Sequence, residues 1–106
     1  MTARSFAFAG PRPPVRFNMA AYVIARAVAT TPDKVALIVH DRVDGDAAET
    51  WTYRAIEDAV LRIAGGLKAR GLGDGDRIVI RLDNTSHYAL VFFGAIAAGL
   101  VPLATS

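Results

Sequence analysis

A chain of 106 residues with 53% hydrophobic side chains, no cysteine and a formal net charge of +2 suits one small domain, and excludes disulfides and thiolate metal sites. Its basic balance is local: the four charges before Asp33 are Arg4, Arg12, Arg16 and Arg26, interleaved with Pro11, Pro13 and Pro14 rather than clustered on one face, which argues against nucleic acid as a partner. No apolar run reaches the roughly 18 residues of a membrane span.

Residues 1–16 lack apolar periodicity and carry three prolines, so the spacing predicts a flexible, mostly extended arm, with the ordered part beginning at residue 17. Asn18 is a good N-cap for a helix from Met19 to about Thr30. Phe17 and Tyr22 stand at its staple positions, Ala20, Val23, Ile24, Ala27 and Val28 form one apolar stripe, and Pro32 closes it. Val35 to Val39 and Glu49 to Trp51 read as two antiparallel strands joined across Arg42 to Asp46, where Asp44-Gly45 is the turn signal. His40 at the strand end has no second His, Cys or acidic cluster at metal-binding spacing and reads as a solvated loop residue.

Thr52 is the next N-cap, with Trp51 and Ile56 as a staple, and Ile56, Ala59, Val60, Ile63, Ala64 and Leu67 recur every three or four residues to give an amphipathic helix. Asp58 and Arg62 form an i,i+4 pair on its polar face. Gly65-Gly66 inside it points to close packing against a neighbouring backbone, with a kink as the plainer alternative, and Gly71 is the expected stop. Gly73 to Asp76 turns the chain into a strand, Arg77 to Leu82. Asp83 to His87 is a polar turn, with Ser86 or Thr85 expected to cap the helix that follows. That helix, to Ala98, is apolar on every side, Gly99 ends it, and a strand opens at Leu100. Strand, helix and strand make a βαβ unit, so the fold class is α/β: a β-hairpin, flanking helices and one βαβ unit. A mean hydropathy of +0.31 and an all-round apolar helix lead us to expect bare apolar surface and self-association of the chain by itself.

Three segments in order resemble the adenylate-forming enzymes, the superfamily of acyl-CoA synthetases, peptide-synthetase adenylation domains and luciferases. Trp51-Thr52-Tyr53-Arg54-Ala55-Ile56 is similar to "(T/S)YxEL", Gly75-Asp76-Arg77-Ile78 to "GDRV", and Gly94 to Pro102, with Gly99, to "GA…AG…P"; Pro32 to Leu37 extends the likeness. The resemblance implies that residues 17–106 are an incomplete, N-terminal part of the large domain of an AMP-binding ligase. Such a cytoplasmic enzyme would activate a small carboxylic acid with ATP and Mg²⁺ as an acyl-adenylate and pass the acyl group to coenzyme A. A peptide-synthetase adenylation domain is the neighbouring alternative. The family's phosphate loop, ribose aspartate and catalytic lysine all come after the matched stretch, so the resemblance assigns no catalytic, cofactor-binding or metal-ligating residue here, and tight binding of those cofactors is not expected.

Nothing else in the chain supplies that chemistry. There is no GxxxxGK[ST]; Gly71-Leu72-Gly73-Asp74-Gly75 leads into a strand, whereas a phosphate cradle leads into a helix. A stand-alone α/β binding or interaction module is therefore the other reading. Asn84, Thr85 and Ser86 are the residues placed nearest a ligand, between a strand's carboxyl end and a helix N-terminus, with helix-cap chemistry as the alternative. Tyr88, Phe92 and Phe93 could line an acyl or aryl pocket and are expected in the core. Where the family motif has glutamate, Ala55 stands, and half of a capping box is missing. Ala55→Glu should therefore stabilise the Thr52 helix by about 0.3–1.5 kcal/mol. Paired thermal melts check this; a lower melting point for the variant would contradict it.

Overall fold

Asn18 starts the first helix as its side chain predicts: Oδ1 accepts from the Ala21 amide at 3.1 Å, and the Phe17 and Tyr22 rings meet at a tilt with centroids 5.3 Å apart. In the computed structural model, which describes residues 14–105, a π-helical stretch, Ala21–Ala25, runs into α1, Arg26–Thr30. Then come β1, Val35–Val39; β2, Glu49–Thr52; α2, Tyr53–Ala69; β3, Arg77–Ile80; α3, Ser86–Ala97; and β4, Val101–Ala104. Most of the predicted arm lies outside the described residues; Pro14, Val15 and Arg16 are exposed and belong to no helix or strand. The π-helical stretch changes the expected stripe. Ala20, Ile24 and Val28, spaced by four, meet the core, while Val23 is 44% exposed.

β1 and β2 form the antiparallel hairpin, with Val39 opposite Glu49, Leu37 opposite Trp51 and an irregularity at Ala36. β3 and β4 pair in parallel from Arg77 opposite Val101 to Ile80 opposite Ala104, and α3 crosses between them, completing the βαβ unit. β3 ends at Ile80, two residues earlier than the alternation predicts, and Leu82 is left exposed. Thr52 caps α2 by accepting the Ala55 amide at 3.2 Å; Asp58 and Arg62 pair at 3.1 Å. Gly71, Gly75 and Gly99 adopt positive φ, which an L side chain takes only with strain. At Gly99 the Leu100 amide reaches the Ala95 carbonyl and the Gly99 amide the Ile96 carbonyl, each at 2.9 Å, the paired bonds of a Schellman stop.

The core is one spine between α2 and α3. Ala20, Ile24, Val60 and Leu90 bury one half, with Trp51, Ile56 and Phe93 against them; Ala64, Ala95, Ala98 and Leu100 bury the other, with Leu67, Leu72 and Ile78. α3 is apolar all round, as expected, and from Tyr88 to Ala97 every residue is buried or half-buried. The sheets are less covered. Val79, Val101 and Leu103 leave apolar surface open on the parallel pair, a geometry that parallel strands ordinarily bury on both faces.

The expected close approach at Gly65-Gly66 is not found: a Cβ at either would meet nothing within 4 Å. The glycine that permits contact is Gly94 on α3, where a Cβ would stand 2.5 Å from Ile63 Cγ2 and 2.9 Å from Ile63 Cβ on α2. Gly94→Ala should cost about 1 kcal/mol net, overpacking of about 1–3 kcal/mol less about 1 kcal/mol of helix propensity. Gly65→Ala and Gly66→Ala should each stabilise by about 0.5–1 kcal/mol. Denaturant midpoints of the three variants give the signs, and equal effects at all three positions would contradict the assignment of the contact to Gly94.

Candidate functional site

The hairpin and the N-terminal half of α3 enclose a groove of 440 Å³, with Leu37, Ile38, Val39 and His40 on one side and Thr85, Tyr88, Phe92 and Phe93 among those on the other. The arrangement follows from the local sequence. β1 is a run of apolar residues and α3 is apolar all round, so the two present facing apolar walls. A second groove of 400 Å³ lies beyond Asn84 and Tyr88, where Leu82, Asp83 and Thr105 complete it. Asn84 and Tyr88 thus border both, and the Tyr88 hydroxyl donates to the Thr105 carbonyl at 2.9 Å.

The polar turn is built differently from its sequence expectation. Thr85 is the N-cap residue of α3, yet its side chain makes no capping bond, and Ser86 does not cap either. Ser86 is 1% exposed, and its Oγ donates to Glu49 Oε1 at 3.1 Å, across 37 residues of chain. The correction has a simple cause. Ser86 is the first residue of α3, where the hydroxyl can turn away from the helix amides, and the antiparallel register brings the start of β2 alongside it. A carboxylate beside a helix N-terminus is also favoured by the positive end of the helix dipole. Thr85 and Asn84 remain exposed at the groove edge.

The motif residues divide between three joints. Thr52 caps α2, and Tyr53, its first residue, donates its backbone amide to the Lys34 carbonyl at 3.1 Å, fixing α2 to the hairpin. Asp76, Arg77, Gly99 and Pro102 meet at one end of the βαβ unit. Asp76 Oδ2 accepts the Gly73 amide at 2.8 Å, its carbonyl accepts the Val101 amide at 2.8 Å, and Pro102 lies opposite Ile78. A Cβ at Gly99 would run into the Asp74 carboxylate. Gly94 is the contact point of α3 with α2. These residues hold elements in register, and none projects into the groove. Among the described residues no three His, Asp or Glu side chains gather as a metal site, and no helix is long and apolar enough to cross a membrane.

Two residues, one bonded to the start of α3 and one in the groove wall, lacked a signal in the sequence. Glu49 reads there only as a strand start, and its tie to Ser86 depends on hairpin register. His40 reads as a loop residue; it is exposed, and it forms part of the groove wall through the apolar run that precedes it. The aromatic residues fall on both sides of the expectation. Phe93 packs on the core, and Phe92 meets it edge-to-face at 5.5 Å while both line the groove.

Residues 24–106 match the family model described as AMP-binding enzyme. The chain is 33% identical over 73 residues to the vibriobactin-specific 2,3-dihydroxybenzoate-AMP ligase of Vibrio cholerae, covering 69% of this chain and 12% of that protein. It is 39% identical over 57 residues to 4-coumarate–CoA ligase 3 of Oryza sativa, covering 54% of this chain and 10% of that protein. Among solved structures, a benzoate CoA ligase from Burkholderia xenovorans superimposes with a TM-score of 0.73 at 30% identity, over 86% of this chain and 17% of that one. The chain therefore spans about a tenth of the length of the curated relatives it matches.

The Ser86–Glu49 contact yields a measurable coupling. Glu49→Ala should cost about 1–2 kcal/mol, since it strands a buried hydroxyl, while Glu49→Gln, which keeps an acceptor, should cost less than about 0.5 kcal/mol. In a double-mutant cycle with Ser86→Ala the coupling should be about 1 kcal/mol. Strict additivity in denaturant titrations would show that the bond contributes nothing.

Proposed function

The chain belongs to the AMP-binding enzyme family, and from that premise we propose that it forms the N-terminal part of an ATP-dependent acid–thiol ligase. In the proposed reaction a carboxylate oxygen of the substrate attacks the α-phosphorus of ATP, pyrophosphate leaves, and a thiolate sulfur then displaces AMP from the acyl-adenylate. Each step balances without an added oxidant or reductant. The observation that carries the reading is the family match, which runs from the first helix through the hairpin and the whole βαβ unit.

An aromatic carboxylic acid is the proposed substrate class, because the relatives above are named for dihydroxybenzoate, coumarate and benzoate. Coenzyme A is the proposed acceptor, supported by the two CoA ligases among them, with Mg²⁺ on the nucleotide phosphates and the cytoplasm as the compartment that holds both cofactors. Asn84, Thr85 and Ser86 are proposed to lie close to the ligand-binding parts of the parent enzyme, as the polar turn at the carboxyl end of β3.

The described residues themselves do not fit a nucleotide. A phosphate would seek free amides at a helix N-terminus; at α3 that place already faces the Glu49 carboxylate, whose charge opposes it. At α2 the Thr52 hydroxyl takes the Ala55 amide and the Lys34 and Pro32 carbonyls take those of Tyr53 and Arg54. Phosphate and metal chemistry is therefore assigned to other segments of the parent protein, and these residues supply the scaffold.

Pyrophosphate exchange into ATP, measured on the protein that carries this chain ahead of its remaining segments, should depend on an aryl acid such as benzoate or coumarate and exceed that with acetate. Added coenzyme A should then convert the adenylate to a thioester. The 106-residue chain alone should give no micromolar heat of binding with MgATP. Saturable micromolar binding by the chain alone would overturn the scaffold reading and favour a stand-alone nucleotide-binding module.

A further inference from the structure

The outer face of the first helix carries side chains that a solvated helix has no need of. Phe17, Met19, Tyr22 and Val23 are 47%, 39%, 50% and 44% exposed within seven residues of chain, and the Phe17 and Tyr22 rings meet at a tilt, 5.3 Å apart. Arg26 continues the row: its guanidinium lies over the Tyr22 ring at 5.1 Å and donates to the Tyr22 hydroxyl at 2.7 Å. Beyond it an open groove of 420 Å³ runs between α1 and the starts of β1 and α2, bounded by Tyr22, Arg26, Thr30, Lys34 and Tyr53.

Charge decides what this surface fits. No Asp or Glu lines the groove, and the two ion pairs among the described residues use other cations, Arg54 with Asp33 and Arg62 with Asp58. Arg26 is turned back along the helix to Tyr22 rather than toward the C-terminal carbonyls, so it is not spent on the helix dipole. Aromatic residues, methionine and arginine held together at partial exposure are the composition of an interface centre, not of a solvated face. A phosphate or other small anion would use the two cations and leave the apolar row uncovered.

We propose that this face, from Phe17 and Tyr22 through Arg26 to Lys34, docks an acidic amphipathic helix of another protein. Apolar side chains of that helix would lie over Phe17, Tyr22 and Val23, and its carboxylates would pair with Arg26 and Lys34. The pairing is independent of the ligase reading, since it uses none of the motif joints except the exposed edge of Tyr53.

The test is fluorescence anisotropy of a labelled peptide built on Glu and Leu at helical spacing, titrated with the full chain, beside a Lys and Leu peptide of equal length. The acidic peptide should bind and the basic one should not. Arg26→Glu with Lys34→Glu should weaken binding about tenfold or more, as should Tyr22→Ala. Raising salt from about 0.05 to about 0.3 M should weaken it further. Circular dichroism of each variant separates lost binding from lost folding, and Arg26→Gln with Lys34→Gln serves if the reversal unfolds. Equal binding of the two peptides, or binding untouched by the charge changes, overturns the proposal. So does a Tyr22→Ala variant that melts far lower with no peptide bound by the parent chain, because the face would then be covered from within its own protein.

Discussion

The close approach of α3 to α2 at Gly94 is the contact on which the rest of the structure depends. With Ile63 Cγ2 and the Val60 carbonyl against the bare α-carbon, the two helices come nearer than any side chain at that position would allow. The small residues along the same line, Ala64, Ala95 and Ala98, keep the spine narrow, and their burial leaves the larger Ile24, Val60, Leu90 and Leu100 to fill its two ends. Dispersion is summed over many such short contacts, so a few tenths of an ångström along this line matter more than any single large side chain.

Everything else is tied to α3 by polar bonds at its two ends. At the start Ser86 holds Glu49 of the hairpin; at the end the Ile96 carbonyl accepts the Asn18 side-chain amide at 2.8 Å from the first helix while also taking the Gly99 amide, so both lone pairs are used. The Schellman stop then aims the chain into β4. The Gly75 amide bonds the Gly99 carbonyl at 2.9 Å, which joins the turn before β3 to the turn before β4 and sets the parallel register. One helix thus receives the hairpin, the first helix and both parallel strands.

What was legible beforehand was local. Asn18 and Thr52 announce helix starts because a short polar side chain can reach an amide two or three residues on; Gly99 announces a stop because its φ of +82° is costly for other residues. Pairings across tens of residues carried no such mark, and the Ser86–Glu49 bond and the Asn18–Ile96 bond could not be read from either partner's neighbours. Gly65-Gly66 illustrates a misreading that periodicity could have prevented. With Val60, Ala64 and Leu67 facing inward, the two glycines turn to the solvent side, whereas Gly94 lies one turn beyond the buried Leu90. The π-helical stretch was hidden because the stripe contains apolar residues at both three- and four-residue spacings, and only packing selects Ala20, Ile24 and Val28 over Val23.

The family motifs acquire a physical meaning from these joints. A residue that must cap a helix, accept a turn amide or leave room for a crossing backbone is constrained as tightly as one that touches a substrate. Thr52, Asp76, Gly94 and Gly99 are of that kind. Ser86 and Glu49 extend the reasoning to the start of α3. A helix N-terminus beside a groove attracts an anion, and here the hairpin supplies that anion from within the chain. The carboxylate that steadies α3 therefore also sets a like charge against any anion approaching there, and this segment contributes shape and rigidity to the fold.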